Sequence, residues 1–292
     1  MENSIGVVGS FALDTIDGLE DSPTPPWPGG SALYFTLAAK EFIKVKVCGI
    51  ISKQDFATFI ELITTPNVDT SLIKQSELHT YSWHARYDPL TGQNVQIGSI
   101  EEIYSDFEPE IPDNIDVLFL GTVPDNIQRK ALSKVDKNMP IGLDVMTPYL
   151  EKGIKAIEDI ISAATWFFLN VQELKALGLY SPREILKRFP AEGVVLKMGA
   201  EGATWYEPNL ETHVPAYPVE KVRDQTGAGD CFAAGFIYEV VYRSGNPRYG
   251  LARGHTLASI AIEGFGVERI KIIDKEELAK REGYFRERGY LV

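Results

Sequence analysis

The chain of 292 residues carries 41 Asp and Glu against 29 Lys and Arg, a formal charge of −12, and two cysteines. That length buries a large core without metal or disulfides, and 44% hydrophobic with 24% charged residues excludes a disordered chain. The negative balance opposes non-specific binding to nucleic acid or to an anionic membrane, so any phosphate must be held by local geometry.

From the N-terminus, no Lys or Arg occurs before Lys40, the wrong charge pattern for a secretory signal. Cys48 and Cys231 form no C-x-x-C pair, and no apolar run is long enough to cross a bilayer, so a soluble protein of the reducing cytoplasm is expected. Ile5 to Leu13 reads as the first strand, Ser31 to Phe42 as a helix and Val45 to Ile50 as a strand. Asp116-Val-Leu-Phe-Leu, Ile141-Gly-Leu-Asp-Val and Thr165-Trp-Phe-Phe-Leu are near-continuous apolar runs, as expected of strands covered on both faces. Ser181-Pro182-Arg183-Glu184 combines a capping box with proline at the first helical position. The chain beyond Asp230 reads as mainly helical. This alternation predicts an α/β fold wound on a mostly parallel sheet.

Two segments interrupt it and are expected to form a small β appendage. Asp17 to Pro28 holds Pro23, Pro25, Pro26 and Pro28 and cannot be helix. In His79 to Asp88, Tyr81, Trp83, Ala85 and Tyr87 fall on one face and Thr80, Ser82, His84 and Arg86 on the other, the pattern of a half-exposed strand. Pro89-Leu-Thr-Gly then turns the chain toward Asn94 to Ile100, which predicts a hairpin.

The most informative string is Asp224-Gln-Thr-Gly-Ala-Gly-Asp230. Behind it Phe232, Phe236, Ile237, Val240 and Val241 recur at helical spacing, so Gly227 to Gly229 open a buried helix. Bare amides at such a start attract an anion, and an aspartate beside them can take a proton from a nucleophile. The glycines alone also fit a tight turn, with Asp230 satisfying the helix end.

The whole string resembles the second signature of the ribokinase-like, or PfkB, carbohydrate kinase family. Gly9-Ser-Phe-Ala-Leu-Asp14 resembles the family's first strand with its substrate-binding aspartate, and Gly29-Gly30-Ser31-Ala32 its di-glycine. Asn170-Val-Gln-Glu173 resembles the N-x-x-E element, and Lys197-Met-Gly199-Ala-Glu-Gly202 the nucleotide-side loop. The resemblance implies a three-layer α/β/α domain over residues 1–292, with lid segments at about 15–28 and 79–106. It implies Asp230 as catalytic base and the amides of Gly227, Ala228 and Gly229 as the anion hole. Asn170 and Glu173 would organise Mg2+ through water, and Lys197, Gly199 and Gly202 would serve ATP. Asp224 and Thr226 would help hold a monovalent cation, K+. Asp14, Gly29, Gly30, Tyr34, Trp83, His84, Arg86 and Asp144 would face the substrate. Phosphoryl transfer needs in-line positioning and charge stabilisation, which these residue types can supply.

Other readings stay open on the residues alone. Asn170 with Glu173 is also a helix cap, Lys197 a salt-bridge residue, Asp14 a strand end, Cys231 a small helix residue, and His213 and His255 structural. Tyr34 stands where the family usually has asparagine, which separates the chain from simple ribokinases. The region from Thr80 to Tyr87 looks most like a bacterial branch of sugar or adenosine-like kinases. No Gly-x-x-x-x-Gly-Lys, no dinucleotide fingerprint and no H-E-x-x-H occurs. The expected activity is ATP-dependent phosphorylation of a hydroxyl on a sugar or polyol, the alternatives being an adenosine-like nucleoside kinase or a ligand sensor on the same scaffold. Lid pairing into a homodimer is expected.

Overall fold

The computed structural model describes residues 3–88, 93–150 and 153–292. Its first half runs β1 (Ser4–Val8), β2 (Ala12–Asp17), β3 (Trp27–Gly29), α1 (Ser31–Ala39), β4 (Lys44–Ser52), α2 (Phe56–Ile63), β5 (Val68–Ser76), β6 (Ser82–Asp88), β7 (Gln93–Ile100), β8 (Val117–Leu120), α3 (Asp125–Leu132) and β9 (Ile141–Asp144). The second half runs α4 (Thr147–Leu150), α5 (Glu158–Ile161), β10 (Trp166–Asn170), α6 (Val171–Ala176), α7 (Arg183–Arg188), β11 (Gly193–Lys197), β12 (Ala203–Tyr206), β13 (Glu211–Val214), α8 (Ala228–Tyr242), α9 (Pro247–Ala261) and α10 (Lys275–Glu287).

Among the described residues the strands form two sheets. The large one has the order β13-β12-β11-β10-β9-β8-β1-β4-β5, parallel from β11 to β5 with β12 and β13 antiparallel at one edge. Its buried strands send alternate residues into separate cores. Val117, Phe119 and Phe168 join one with α1, α8 and α9, while Leu118, Leu120, Phe167 and Leu169 join the other with α3 and α7. These are the three layers expected of the apolar runs.

The small sheet has the order β3-β2-β6-β7 and draws on both segments that interrupt the alternation. The turn expected at Pro89-Leu-Thr-Gly lies outside the described residues. The single strand expected from Ile5 to Leu13 is two, because the chain leaves the large sheet at Gly9. Ser10 N–H then donates to Ser31 Oγ, Ser31 N–H to Ser10 Oγ, and Ala32 N–H to Ser10 O, so the backbone is diverted onto the start of α1. The box at Ser181 is realised in part: Glu184 Oε1 accepts from Ser181 N–H, and Ser181 Oγ from Arg183 N–H.

Helix α8 is held against α9 by close approach of glycines; a Cβ on Gly235 would meet Arg253 O at 2.7 Å. Arg253 Nε reaches Glu239 Oε2 at 2.6 Å across the same interface. This packing fixes where the start of α8 points.

Candidate active site

Three adjacent parallel strands deliver polar residues to their carboxyl ends, the edge at which open α/β sheets bind ligands. Asp144 ends β9, Asn170 ends β10 and Lys197 ends β11, with Asn170 in register with Lys197. Lys197 Nζ donates to Asp144 Oδ2 at 2.9 Å, with both side chains largely buried. The first turn of α8 lies against this pair: a Cβ on Gly229 would be 2.9 Å from Lys197 Nζ and 3.6 Å from Asp144 Oδ2. Asp230 stands in that turn and keeps some solvent access. Burial, reinforced by Asp144 and Glu173 and opposed by Lys197, pushes its carboxyl up to about 8. Lys197, which burial alone would lower, is held above its usual range by Asp144 and Glu173.

Asn170 caps α6 through a complete capping box. Its Oδ1 accepts from Gln172 and Glu173 N–H, and Glu173 Oε2 accepts from Asn170 N–H at 2.6 Å. Capping is therefore a real role of the pair. Burial pushes the Glu173 carboxyl up to about 8, with Lys197 opposing and Asp144 adding. A divalent ion beside it would favour the charged form. Among the described residues no three His, Cys, Asp or Glu side chains close into a metal cage. An ion that arrives on nucleotide phosphates and keeps its waters needs none, so Glu173 and Asn170 fit Mg2+.

The other wall of the cleft is built on the di-glycine. Gly30 caps α1 at φ 97°, and a Cβ on Gly29 would fall 1.8 Å from Asp14 Oδ2. Asp14 is paired in register with Trp27. Tyr34 from α1 lays its ring on Gly227, whose φ is 74° and whose added Cβ would meet that ring at 2.2 Å. Asp14 Oδ2, Tyr34 OH and Trp27 Nε1 are all buried without a hydrogen-bond partner. Each such group costs about 1–3 kcal/mol. An acceptor and two donors left unpaired on one wall are groups that hydroxyls of a bound molecule would satisfy. Burial raises the Asp14 carboxyl well above its ordinary value, with Asp224 and Asp230 adding to the shift.

Register sorts the small sheet into faces. β2 and β6 pair in parallel, Asp14 with Trp83 and Ile16 with Ala85, so these share the inner face with Trp27 and Tyr87. Thr15 pairs with His84 and Asp17 with Arg86 on the outer face. His84 and Arg86 therefore do not face the cleft, contrary to expectation. His84 Nε2 meets Asp17 Oδ2 at 3.0 Å on the surface. Trp83 stays on the inner face, its Nε1 donating to Gln96 Oε1. Asp144 is held by Lys197 at the carboxyl end of β9, beside the first turn of α8.

Asp224 is buried and its carboxylate is fully engaged. Oδ1 accepts from Thr226 N–H at 2.9 Å, Thr226 Oγ1 at 2.7 Å and Asn94 Nδ2 at 3.3 Å, while Oδ2 accepts from Gly266 N–H at 3.0 Å. Arg223 and Asp224 N–H both reach Ile262 O, closing the loop on this side. Three donors converge on Oδ1 and one on Oδ2, and the Asn94 amide bridges Asp224 Oδ1 and Thr226 Oγ1. An ion shared by Asp224 Oδ1 and Thr226 Oγ1 would have to displace that amide.

Residues 28–272 match the model of the pfkB family carbohydrate kinases. The chain belongs to the PfkB family. It is similar to a nucleoside kinase of Methanocaldococcus jannaschii, 23% identical over 282 residues that cover 90% of this chain and 92% of that one. A crystal structure of the nucleoside kinase from that organism superposes with a TM-score of 0.77 at 20% identity, covering 96% and 98% of the two chains. An uncharacterized sugar kinase of Archaeoglobus fulgidus is 34% identical over 146 residues, 48% of this chain and 56% of that one. The ADP complex of a ribokinase from Cryptococcus neoformans gives a TM-score of 0.73 at 18% identity, covering 96% and 99%. The PfkB chain is thus a kinase with the ribokinase-like fold.

Within this PfkB protein the remaining candidates lie at the β11–β12 turn, on β13, and in α8 and α9. Gly202 at φ 104° turns β11 back into β12 against Val214 O, and a Cβ on Gly199 at φ 60° would meet nothing within 4 Å. Cys231 and His255 are buried, with His255 Nε2 3.1 Å from Val214 O, and His213 Nδ1 meets Thr204 Oγ1. Trp27, Asn94 and Gly266 belong to the site and were not apparent from sequence. Trp27 carried the one usable signal, an aromatic directly before Pro28-Gly29-Gly30.

Proposed function

We propose that this kinase transfers the γ-phosphoryl group of ATP to a hydroxyl of a small, uncharged, sugar-like substrate, with Asp230 as base. One observation carries the reading: Asp230 opens α8 beside the Asp144–Lys197 pair, and its charge reaches Asp14, whose carboxyl it helps to raise. The acceptor hydroxyl would lie between Asp14 and Asp230 and give its proton to Asp230 as the phosphorus–oxygen bond forms. Amides of 227–229 would hold the transferring group, the Ala228 N–H turning from Gln225 O, which it meets at 3.2 Å. Mg2+, held through Glu173 and Asn170, would supply charge neutralisation for the phosphates. Nucleotide use is supported by the ADP bound to the related C. neoformans ribokinase.

Charge narrows the acceptor. Asp14, Asp224 and Asp230 crowd that wall, Lys197 is tied to Asp144, and Arg86 belongs to the outer face. A sugar phosphate or sugar acid would meet carboxylates there, whereas hydroxyls would satisfy Asp14, Tyr34 and Trp27. A nucleoside is the second reading, favoured by Trp27 and Trp83 on the inner face and by the M. jannaschii relative. A coupled assay with ATP over free sugars, polyols, inositols and nucleosides tests both. Turnover of sugar acids or sugar phosphates alone would overturn the charge argument.

On the small sheet, Val95, Ile97 and Ile100 expose about half their surface. Pairing of two such sheets in a homodimer follows from this reading and is testable by analytical ultracentrifugation. No helix among the described residues is long and apolar enough to cross a membrane.

A further inference from the structure

Asn94 lies on β7 opposite Tyr87 of β6, so its side chain shares the inner face of the small sheet. From there its Nδ2 reaches Thr226 Oγ1 at 3.1 Å and Asp224 Oδ1 at 3.3 Å, residues more than 125 positions away in the chain. Thr226 in turn donates its hydroxyl to Asp224 Oδ1 at 2.7 Å and its N–H to the same oxygen at 2.9 Å. Asn94 thus completes a relay from the small sheet through the Thr226 hydroxyl to a buried carboxylate. The next residue is Gly227, the left-handed cap of α8, followed by the turn that carries Asp230.

We propose that Asn94 is a positioning residue that couples the placement of the small sheet to the geometry of the α8 amides. When the sheet covers the acceptor, the Asn94 amide fixes the Thr226 rotor and, through it, the backbone entering Gly227. When the sheet is displaced, Thr226 loses one partner and the amides at 227–229 lose their alignment. Water that enters an uncovered cleft then meets an incompetent site, so phosphoryl transfer to water is suppressed. This coupling rests on the kinase reading above.

The test uses the full-length enzyme and the acceptor found in the coupled screen. Asn94→Ala is expected to lower kcat about ten- to hundredfold, the range for losing a hydrogen bond to a charged network, with KM for ATP and acceptor changed less than about threefold. Asn94→Asp is expected to be worse than Asn94→Ala, because its carboxylate would face Asp224. Combining Asn94→Ala with Thr226→Val should cost no more than the worse single change, since both cut one relay. Hydrogen exchange on the unliganded protein gives a readout independent of turnover: amides of 226–230 should exchange faster in Asn94→Ala, with β8 to β10 unchanged. If Asn94→Ala destabilises the small sheet as a whole, Asn94→Leu keeps the side chain's size without a donor and carries the same measurements. A rise in KM for the acceptor with kcat intact, additive costs in the cycle, or unchanged exchange at 226–230 would each overturn the coupling. A wild-type enzyme without turnover on any acceptor would instead remove the kinase reading and leave the exchange result standing.

Discussion

The Lys197 ammonium bonds the Asp144 carboxylate at 2.9 Å, joining the ends of β9 and β11 across β10 directly beneath the first turn of α8. This pair sets the electrostatics at Asp230. Lys197 lowers the proton affinity of that residue and Asp144 raises it, so neutralising either partner shifts the base in a known direction.

Because the base must be unprotonated, kcat/KM of the free enzyme should rise with pH, pass its midpoint near 8 and level off only above that. Lys197→Met should move that limb to higher pH and Asp144→Asn to lower pH. Opposite movement in the pH–rate profiles would show that the titrating group is not Asp230.

Asp230→Asn should lower kcat by about two to four orders of magnitude, the range for losing general-base catalysis, while substrate binding measured by calorimetry persists. Near wild-type turnover on the true substrate would remove Asp230 from the mechanism.

Stability should carry the same signature. Asp230 and Glu173 have folded-state proton affinities of about 8, far above the ordinary carboxyl values of 3.8 and 4.5, so the folded state binds more protons than the unfolded one between about pH 4 and 8. Their contribution is fully present below about pH 4 and is lost as pH rises through 8. The melting temperature of the nucleotide-free protein should therefore fall across that window, and Asp230→Asn or Glu173→Gln should flatten the fall. Melting curves from pH 5 to 8.5 are the check.

Face assignment on the small sheet predicts a split. His84→Ala and Arg86→Ala should leave KM for the acceptor within about twofold of wild type, since outer-face substitutions away from a site are nearly neutral. Asp14→Asn should raise it about tenfold or more, the cost of losing a hydrogen bond to a charged group.

The Asn94 amide bridging Asp224 Oδ1 and Thr226 Oγ1 predicts indifference to monovalent cations. Replacing K+ by tetramethylammonium at constant ionic strength should change neither kcat nor the melting temperature. A clear rise of both in K+ would mean that an ion displaces the Asn94 amide.

Much was legible before any coordinates. The apolar runs of β8, β9 and β10 give the parallel sheet because strands covered on both faces have no polar side to display. The string Asp224 to Asp230 announces a helix opened by glycines with a carboxylate in its first turn, since small residues at a helix start have few other uses. The break at Gly9 was hidden, because the residues on both sides are apolar and only docking on α1 diverts the chain.

Tertiary structure decided the rest. The period-two pattern separates Trp83 from His84 and Arg86, yet it does not say which face meets the cleft; pairing of β6 with β2 decides that through Asp14. Asp144 could stand free or paired at its strand end until Lys197, 53 residues away, claims its carboxylate. Asn94 and Trp27 enter the site only because the small sheet folds over the di-glycine and the start of α8. Local pattern records what a residue's own element needs, and these contacts are made between elements far apart in the chain. The net charge of −12 opposes a basic phosphate-binding surface, while the packing of α8 against β9 and β11 sets the local geometry that can hold a phosphoryl group.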